Sequence, residues 1–387
     1  MRGSIIERNG SLRLKVALGK NPQTGKYESY YETFRGNKTE AQKRLRQILT
    51  ELDKGSFINP GKLTVGEYLE RWLKDYCWPN LSPRSAESYQ YIVRSHLIPS
   101  FGRVLLTGLR PEHLQHLYSE KLTNGLSNRT VQYCHSTLHK ALDSALKLGL
   151  VSRNVADSVE RPRIKRREIQ TMNESDIYRF LEIARPTQYY SLFYILLFTG
   201  LRRSEALALR WSNIDLLLCQ LSVNRTIHQL HDGKIVFSQP KTRNSRRTIA
   251  LSPSTVIVLR EHKEQQEQLR QSLDITFNEN DLVFCQYDGK PLLPDSITHT
   301  WHRLILQAGL KGIRLHDARH SHASLMLKQG VHPKVVSERL GHASIQITLD
   351  TYSHVAPGLQ EAAAKGFDNI LNAESKLDKE LKELVRS

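Results

Sequence analysis

Cysteine is scarce in this chain. Its 387 residues include four cysteines, Cys77, Cys134, Cys219 and Cys285, and no two of them form a Cys-x-x-Cys pair. This spacing argues against a zinc ribbon and against a disulfide-built scaffold, because both need closely paired cysteines. We therefore expect four reduced thiols, most of them buried.

Long apolar segments are also lacking. The longest apolar run, residues 192–198, is far shorter than the roughly 20 residues that a membrane-spanning helix needs. The first residues, from Met1 to Asn9, contain no apolar stretch of the kind that a secretory signal carries. The sequence therefore predicts a cytoplasmic protein with no membrane partner.

Acidic residues are outnumbered by basic ones. Lys and Arg total 56 against 39 Asp and Glu, which gives a formal net charge of +17 and a pI near 9.7. A positive field of this size favours a polyanionic partner, either nucleic acid or an anionic membrane surface. With 387 residues, of which 39% are hydrophobic, the chain is long enough for two or three domains.

Residues 1–58 have the pattern of a small basic module. Alternating segments at residues 4–8, 11–18 and 27–34 predict three strands, and the Asn9-Gly10 pair between the first two is a strong hairpin signal. One helix follows the strands and ends near residue 55.

Residues 63–162 have helical apolar spacing throughout and contain no catalytic motif. A Pro-broken basic run follows and predicts an exposed linker, which is either a solvated loop or a segment that contacts DNA. Its basic residues are Arg161, Arg163, Lys165, Arg166 and Arg167.

From about residue 170 the chain mixes helices with strands predicted at 219–226, 234–238 and 246–251. Residues 374–387 are predicted to form an amphipathic helix that packs either on its own domain or on a neighbouring subunit. The predicted fold class is therefore α+β and multidomain. Residues 1–58 form a three-stranded sheet with a helix, residues 63–162 an all-helical bundle, and residues 170–387 a mostly helical domain with a small antiparallel sheet.

The segment TGLRRSE at 199–205 places an arginine on a bend between two helices. Gly200 ends an apolar helix, and Ser204 is expected to cap the next one. Arg202 is thus free to meet an anion, although pairing with Glu205 in a purely structural role explains it equally well.

Lys241 lies in QPKTR, the turn between two predicted strands. Its ammonium group carries three donors on a flexible stem and could protonate a phosphate oxygen. On its own, however, this residue fits a solvated hairpin lysine better.

Two further motifs supply histidines and a tyrosine. In HDARH, His316 and Arg319 are spaced to share a helix face. In the second motif, His342 follows a glycine that can end a helix, and Tyr352 lies about two turns along the next helix. A zinc site of His316, His320 and His322 is disfavoured, because the His-Glu-x-x-His arrangement is missing.

Together these segments resemble the tyrosine recombinase family, and the whole chain resembles the integrases of temperate phages and conjugative transposons. The resemblance lies in the order Arg, Lys, His-x-x-Arg, His, Tyr over roughly 150 residues, and one departure is Ala318, where many relatives carry Leu. It implies that Glu205 orients the catalytic cluster. The implied catalytic residues are Arg202, Lys241, His316, Arg319, His342 and Tyr352.

The resemblance also implies the chemistry. Tyr352 attacks a DNA phosphate, Arg202 and Arg319 bind its non-bridging oxygens, and Lys241 protonates the 5′ oxygen that leaves. His316 and His342 hydrogen-bond the same phosphoryl group, and His316 is also a candidate acceptor of the tyrosine proton. The product is a 3′-phosphotyrosyl enzyme, and two such rounds pass through a Holliday junction without metal, ATP or another cofactor.

The implied partners are double-stranded DNA with core-type and arm-type sites, further copies of the chain in a homotetramer, a host DNA-bending protein and an excisionase. The small N-terminal module is expected to bind arm sites, and the helical bundle is expected to bind core sites. The predicted arm-site ligands are Arg8, Arg13, Lys15 and Lys26, and the basic run at 161–167 is expected to touch DNA as well.

Several alternatives stay open. Type IB topoisomerases use nearly the same residues, and recombinases that resolve chromosome dimers usually lack the N-terminal module. A metal-dependent nuclease would need a carboxylate cluster, for which only Asp215, Asp281 and Asp317 are candidates. A DNA-binding protein without activity would have no reason to carry the six residues in order. A P-loop at 19–26 fails on glycine spacing and on Tyr27.

Overall fold

A computed structural model describes most of the chain, which divides into two compact units, Met1–Lys165 and Arg166–Ser387. No helix in the described part is long and apolar enough to cross a membrane. The described residues are 3–8, 11–20, 25, 27–34, 36–53, 62–164, 169–240, 245–273, 281–352 and 367.

The first unit begins with the predicted three-stranded sheet. The strands are antiparallel in the order β1-β2-β3, and a helix packs on one face. Asn37 caps this helix, because its Oδ1 accepts from the Glu40 backbone N at 2.8 Å. The hairpin residues Asn9 and Gly10 lie outside the described residues. The elements are β1 Gly3–Arg8, β2 Ser11–Lys20, β3 Tyr27–Phe34 and α1 Lys38–Asp53.

The rest of the first unit is helical, as the apolar spacing predicts, and has its own core. Two of its helices continue through a π-helical turn, Leu73–Cys77 and Val93–Leu97. Tyr68 joins the start of the bundle to its longest helix, since its hydroxyl donates to the Ala141 carbonyl at 2.5 Å. The helices are α2 Val65–Trp72, α3 Trp78–Asn80, α4 Pro83–Ile92, α5 Ile98–Phe101, α6 Pro111–Thr123 and α7 Asn128–Lys147, with 3₁₀ turns at Leu106–Gly108 and Val155–Ser158.

The second unit is built around an aromatic core. The Trp301 ring lies 4.4 Å from the ring of Phe180 and 5.3 Å from that of Phe193, centroid to centroid. Its helices are α8 Glu174–Ala184, α9 Tyr190–Thr199, α10 Arg203–Ala206, α11 Pro253–Leu273, α12 Pro294–Gln307, α13 Asp317–Lys328, α14 Pro333–Leu340 and α15 Ile345–Tyr352.

The strands of the second unit form two small sheets where one cluster was expected. The predicted strand at 219–226 is divided between a sheet of order β4-β5-β8 and a hairpin of β6 and β7. The division arises because β5 pairs with β8, Leu221 opposite Ile249, while the chain after β5 turns to pair Ile227 with Phe237. The strands are β4 Ile214–Asp215, β5 Gln220–Val223, β6 Thr226–Gln229, β7 Ile235–Ser238 and β8 Arg247–Ala250.

The cysteines are free thiols, and the two arginines of the basic linker that the structure describes are exposed. Cys77 and Cys134 are buried, Cys219 and Cys285 are partly buried, and all four are free thiols. Arg161 and Arg163 are exposed, and the Arg163 carbonyl accepts from Asn128 Nδ2 at 2.8 Å. The predicted contacts Lys165, Arg166 and Arg167, together with the tail at 374–387, lie outside the described residues.

Candidate active site

A glycine turn positions the first arginine. Gly200 ends α9 with φ of +67°, and a Cβ there would lie 2.7 Å from Leu340 Cδ2 and 2.8 Å from His322 Cδ2. Only glycine tolerates both the left-handed backbone and this close approach. The next helix, α10, is capped at Arg202 and not at the expected Ser204. The reason is that the Glu205 carboxylate accepts from the Arg202 backbone N at 2.9 Å.

Glu205 is a buried carboxylate shared by two arginines. Its Oε1 lies 2.7 Å from Arg202 NH1, and its Oε2 lies 2.9 Å from Arg247 NH2. Burial opposes its ionisation, but the hydrogen bonds and charges of Arg247 and Arg202 outweigh burial and lower the Glu205 pKa to about 2. Glu205 is therefore an anion that orients both guanidinium groups. Sequence analysis missed Arg247, because the pairing of β8 with β5 places it here.

Arg319 lies deeper in the same site. It is 3% exposed, and its guanidinium donates to the Gly200 carbonyl at 2.8 Å and to the Leu340 carbonyl at 2.5 Å. Burial and the charge of Arg202 lower the Arg319 pKa, but an arginine keeps its proton at neutral pH. The site thus holds three guanidinium groups and one carboxylate, which leaves it positive and suited to a phosphate.

Two of the predicted histidines border this positive site. His342 is half-buried, and its Nδ1 lies 2.8 Å from Thr348 Oγ1. Burial and the charges of Arg319 and Arg202 lower its pKa to about 4. His316 lies at the exposed edge, where desolvation and the neighbouring His320 also lower its pKa. Both rings are neutral at pH 7 and can exchange hydrogen bonds with a phosphoryl group.

The tyrosine at the end of α15 is 1% exposed, and its hydroxyl lies 2.7 Å from His320 Nδ1. Burial raises the Tyr352 pKa to about 12, although the charge of Arg319 acts in the opposite direction. Desolvation lowers the pKa of His320, so its ring is neutral at pH 7 and can hydrogen-bond the tyrosine hydroxyl. Sequence analysis considered His320 only as a metal ligand and assigned contact with the tyrosine to His316. The His316 and His320 rings are 5.0 Å apart.

His322 has a structural position. Its Nδ1 lies 3.0 Å from the Leu197 carbonyl, and its Nε2 accepts from Arg339 Nε at 3.0 Å. Both ring nitrogens are therefore occupied. Among the described residues, no group of His, Cys, Asp and Glu is placed to hold a metal ion. The zinc alternative with His322 as a ligand is not supported.

The carboxylates that a metal nuclease would need accept hydrogen bonds from backbone N–H groups. Asp215 accepts from the backbone N of Leu217, Asp281 from that of Ser212, and Asp317 from that of Arg314. Asp215 and Asp317 each close a local turn, and Asp281 joins two segments 69 residues apart. In the described part of the chain the three do not form a cluster that could hold a metal ion.

One pocket of about 350 Å³ brings most of the predicted residues together. Of the six residues predicted from sequence, five line it: Arg202, His316, Arg319, His342 and Tyr352. The sixth, Lys241, lies outside the described residues. Ser245, on the same chain segment, also lines the pocket.

Histidines whose pKa is lowered in the folded chain make stability depend on pH. The pKa of His322 is lowered to about 3, mainly by burial, against an ordinary value near 6.5. Below pH 6.5 the His322 ring of the unfolded chain therefore binds a proton, whereas that of the folded chain stays neutral. The free energy of unfolding falls as the pH falls towards 3. We expect His322 to contribute a loss of about 1.4 kcal/mol per pH unit in this window.

Urea unfolding of the full chain at pH 7.5, 6.0 and 5.0 measures this loss. His322→Gln should weaken the pH dependence, whereas the exposed control His299→Gln should retain it. An unchanged slope in the His322 variant would contradict the assignment.

The pocket is one in which a buried tyrosine and fixed arginines can act on a phosphate ester. Two family models match the sequence: the phage integrase family over residues 167–358, and the N-terminal SAM-like domain of phage integrases over residues 64–122. The chain belongs to the phage integrase family of tyrosine recombinases, which carry out site-specific recombination.

Relatives cover nearly the whole chain. The ICEBs1 integrase of Bacillus subtilis (strain 168) is 28% identical over 365 residues, which is 94% of this chain and 98% of the relative. A XerC-like tyrosine recombinase of Caldanaerobacter subterraneus is 26% identical over 381 residues, 92% of this chain and 96% of the relative.

Solved structures share the fold. The Tn1549 transposon integrase in complex with a circular intermediate DNA has a TM-score of 0.67 at 17% identity, covering 80% of this chain and 99% of that one. A lambda integrase tetramer bound to a Holliday junction has a TM-score of 0.56 at 15% identity, covering 91% of this chain and 95% of that one.

Proposed function

We propose that this chain is the integrase of a prophage or other mobile element, and that Tyr352 is its nucleophile. The observation that carries the proposal is the single pocket in which Tyr352 meets Arg202, Arg319 and His342. A phosphodiester repels nucleophiles, and fixed positive groups around it stabilise the charge that builds up in the transition state. The arginines supply these groups, and Glu205 holds Arg202 in place.

In the proposed step, the Tyr352 oxygen bonds to phosphorus as its proton passes to His320, the nearest acceptor at 2.7 Å. The bond from phosphorus to the 5′ oxygen breaks, and Lys241 protonates that oxygen. The products are a 3′-phosphotyrosyl enzyme and a free 5′ hydroxyl. Because the phosphodiester energy is kept in the new ester, a 5′ hydroxyl from a second duplex reverses the step and rejoins the strands.

The role of Lys241 is tested with a leaving group that needs no proton. Lys241→Ala should slow cleavage of ordinary DNA by about 10²-fold or more, and should slow a 5′-bridging phosphorothioate substrate far less. Arg202→Ala should slow both substrates, since its guanidinium acts on the phosphoryl oxygens.

Single-turnover cleavage under saturating protein measures these rates. The control is Lys234→Ala, which removes the lysine that directly precedes β7, 78% exposed and paired with Asp232. Equal slowing of both substrates by Lys241→Ala would exclude the lysine as the acid.

We further propose that residues 1–58 bind arm-type sites, residues 63–162 bind core-type sites and residues 170–387 cut. On the sheet of the first module, Leu14 and Val16 face the helix while Arg13 is exposed on the opposite face. Arg13 and Lys15 lie over the Tyr31 ring, at 4.6 and 5.8 Å from its centroid. This basic face has the width to enter a major groove. The side chain of Arg8 and the whole of Lys26 lie outside the described residues, so these two ligands stay predictions.

The arm-site role predicts that substitutions on the basic face weaken binding to arm-type DNA and leave core-site cleavage intact. Arg13→Gln combined with Lys15→Gln should weaken binding to arm-type repeats by at least about tenfold, because each lost phosphate or base contact removes roughly 1 kcal/mol or more. Core-site cleavage should stay unchanged. Gel shifts with arm and core duplexes decide the matter, with the exposed Lys43→Gln on α1 as the charge control. Equal weakening at both sites would refute the division.

The assembly proposed for this chain is a homotetramer on a Holliday junction, as in the lambda integrase structure. A host DNA-bending protein and an excisionase complete the proposed set of partners. Attachment repeats beside this reading frame in its source genome would identify the element and its target.

A further inference from the structure

A second pocket lies on the same unit and shares no lining residue with the first. It has a volume of about 360 Å³ and is bordered by the β6–β7 hairpin. Three arginines line it, Arg210, Arg225 and Arg246, together with the polar side chains of Ser212 and Asn224. No carboxylate is among the described residues that line it. A cavity lined by cations and neutral donors suits an anion.

Two of its nitrogens are buried without a partner. Arg225 NH1 and Arg210 Nε are shielded from solvent, and neither has a hydrogen-bond partner among the described residues. A buried donor left unpaired costs about 1–3 kcal/mol, and more when the group is charged. Desolvation and the charge of Arg210 also lower the pKa of Arg225. The two guanidinium groups therefore destabilise each other in the free protein.

The arginines are held in place in spite of this repulsion. The Arg225 guanidinium lies over the Phe237 ring, 4.3 Å from its centroid. Arg246 donates to the Gln239 side chain, and Gln239 lines the pocket as well. A preorganised cluster of unpaired donors is what a bound phosphate would stabilise, because its oxygens accept several hydrogen bonds at once.

We propose that this pocket binds a phosphodiester of the DNA backbone other than the one that is cut, with Arg210 and Arg225 as its main ligands. The inference rests on the proposed function, in which DNA is the substrate and Tyr352 attacks in the other pocket. Gln239 belongs to the chain segment that continues to Lys241. A strand held here would anchor the duplex beside the chain segment that continues to the proposed acid.

The first test is the salt dependence of binding. Arg225→Gln and Arg210→Gln in the full chain should each weaken core-site binding about tenfold, and should lower the slope of log K against log salt by up to about 0.9, the value for one phosphate. The exposed Arg260→Gln on α11 removes the same charge and should change binding much less. Thermal melting without DNA should be unchanged or raised in the pocket variants, since they remove an unpaired buried charge. The proposal would be overturned if the pocket variants bound core-site DNA as tightly as the wild type and melted at a lower temperature.

The second test locates the phosphate. A core-site duplex with a neutral methylphosphonate placed at each backbone position in turn should weaken wild-type binding at one position outside the cleavage site, and Arg225→Gln should be insensitive to that substitution. If Arg225→Gln weakens binding by the same factor with every methylphosphonate duplex as with unmodified DNA, the pocket does not bind the backbone. Protection against melting by inorganic phosphate, lost in Arg225→Gln while its DNA binding stays normal, would assign the pocket to a free anion and overturn the proposal.

These outcomes are separate from the fate of the proposed function. Saturating amounts of the pocket variants should still form the covalent adduct with a suicide substrate. If wild-type protein formed no adduct through Tyr352, the proposed chemistry would fail, and the methylphosphonate scan would still decide whether the pocket holds DNA.

Discussion

Tyr352→Phe should bind core-site DNA as tightly as the wild type and form no covalent protein–DNA adduct. The ring fills the same buried position, where the tyrosine is 1% exposed, and the substitution removes only the oxygen that would attack phosphorus. The lost hydrogen bond to His320 should cost about 1 kcal/mol of stability, too little to unfold the domain. We expect at least about a 10⁴-fold loss of cleavage, because no neighbouring group replaces the nucleophile.

Denaturing electrophoresis with a suicide DNA substrate measures the adduct, and a gel shift measures binding. Tyr178→Phe is the matched control, since this tyrosine is 71% exposed on α8 of the same unit. It should form the adduct at the wild-type rate. A covalent band of normal intensity from Tyr352→Phe would end the assignment of the nucleophile.

Glu205→Ala should cause the largest loss of stability among the site variants. Its carboxylate is the shared anion of Arg202 and Arg247, and the Arg247 side chain is 6% exposed. Removal of one partner from a buried ion pair leaves an uncompensated charge, which costs about 3–5 kcal/mol. The variant should also lose cleavage, because Arg202 loses the group that orients it.

Urea unfolding gives the stability change, and the exposed Glu182→Ala gives the reference. Glu182 pairs with Arg185 at the surface, with both side chains at least 70% exposed, and such pairs contribute less than about 1 kcal/mol. Combination of Glu205→Ala with Arg247→Met should recover part of the stability, since both buried charges are then gone, while cleavage stays lost. A double variant as unstable as Glu205→Ala alone would show that Arg247 is not the stranded charge.

Local rules account for what the sequence predicted correctly. The alternation in the first 34 residues predicted β1, β2 and β3 to within a few residues, because side chains in a strand alternate between its two faces. Gly200 and Gly341 were expected to end helices, and both do so in the left-handed conformation. The order of arginine, lysine, histidines and tyrosine predicted the family, and five of these six residues meet in one pocket.

Local rules gave the wrong start for α10, because the Glu205 side chain fixes the cap at a different residue from the one predicted. Ser204 has the residue type of a cap, yet α10 is capped at Arg202. The Glu205 carboxylate that binds the Arg202 backbone N is itself held by Arg247 from a distant strand. A preference of about 1 kcal/mol for serine at a cap is smaller than the electrostatic interactions of such a buried carboxylate.

By itself, the sequence determined the local elements, the basic charge and the order of the residues that carry the chemistry, because these depend on neighbours in the chain. Only the tertiary structure decided that His320 contacts Tyr352 and that His322 is structural. It also decided that Arg210 and Arg225 both line a second pocket. The contacts of His320 with Tyr352 and of His322 with Leu197 join elements far apart in the chain, and helix packing brings their atoms within hydrogen-bond distance. A spacing rule that covers a few residues cannot contain that information.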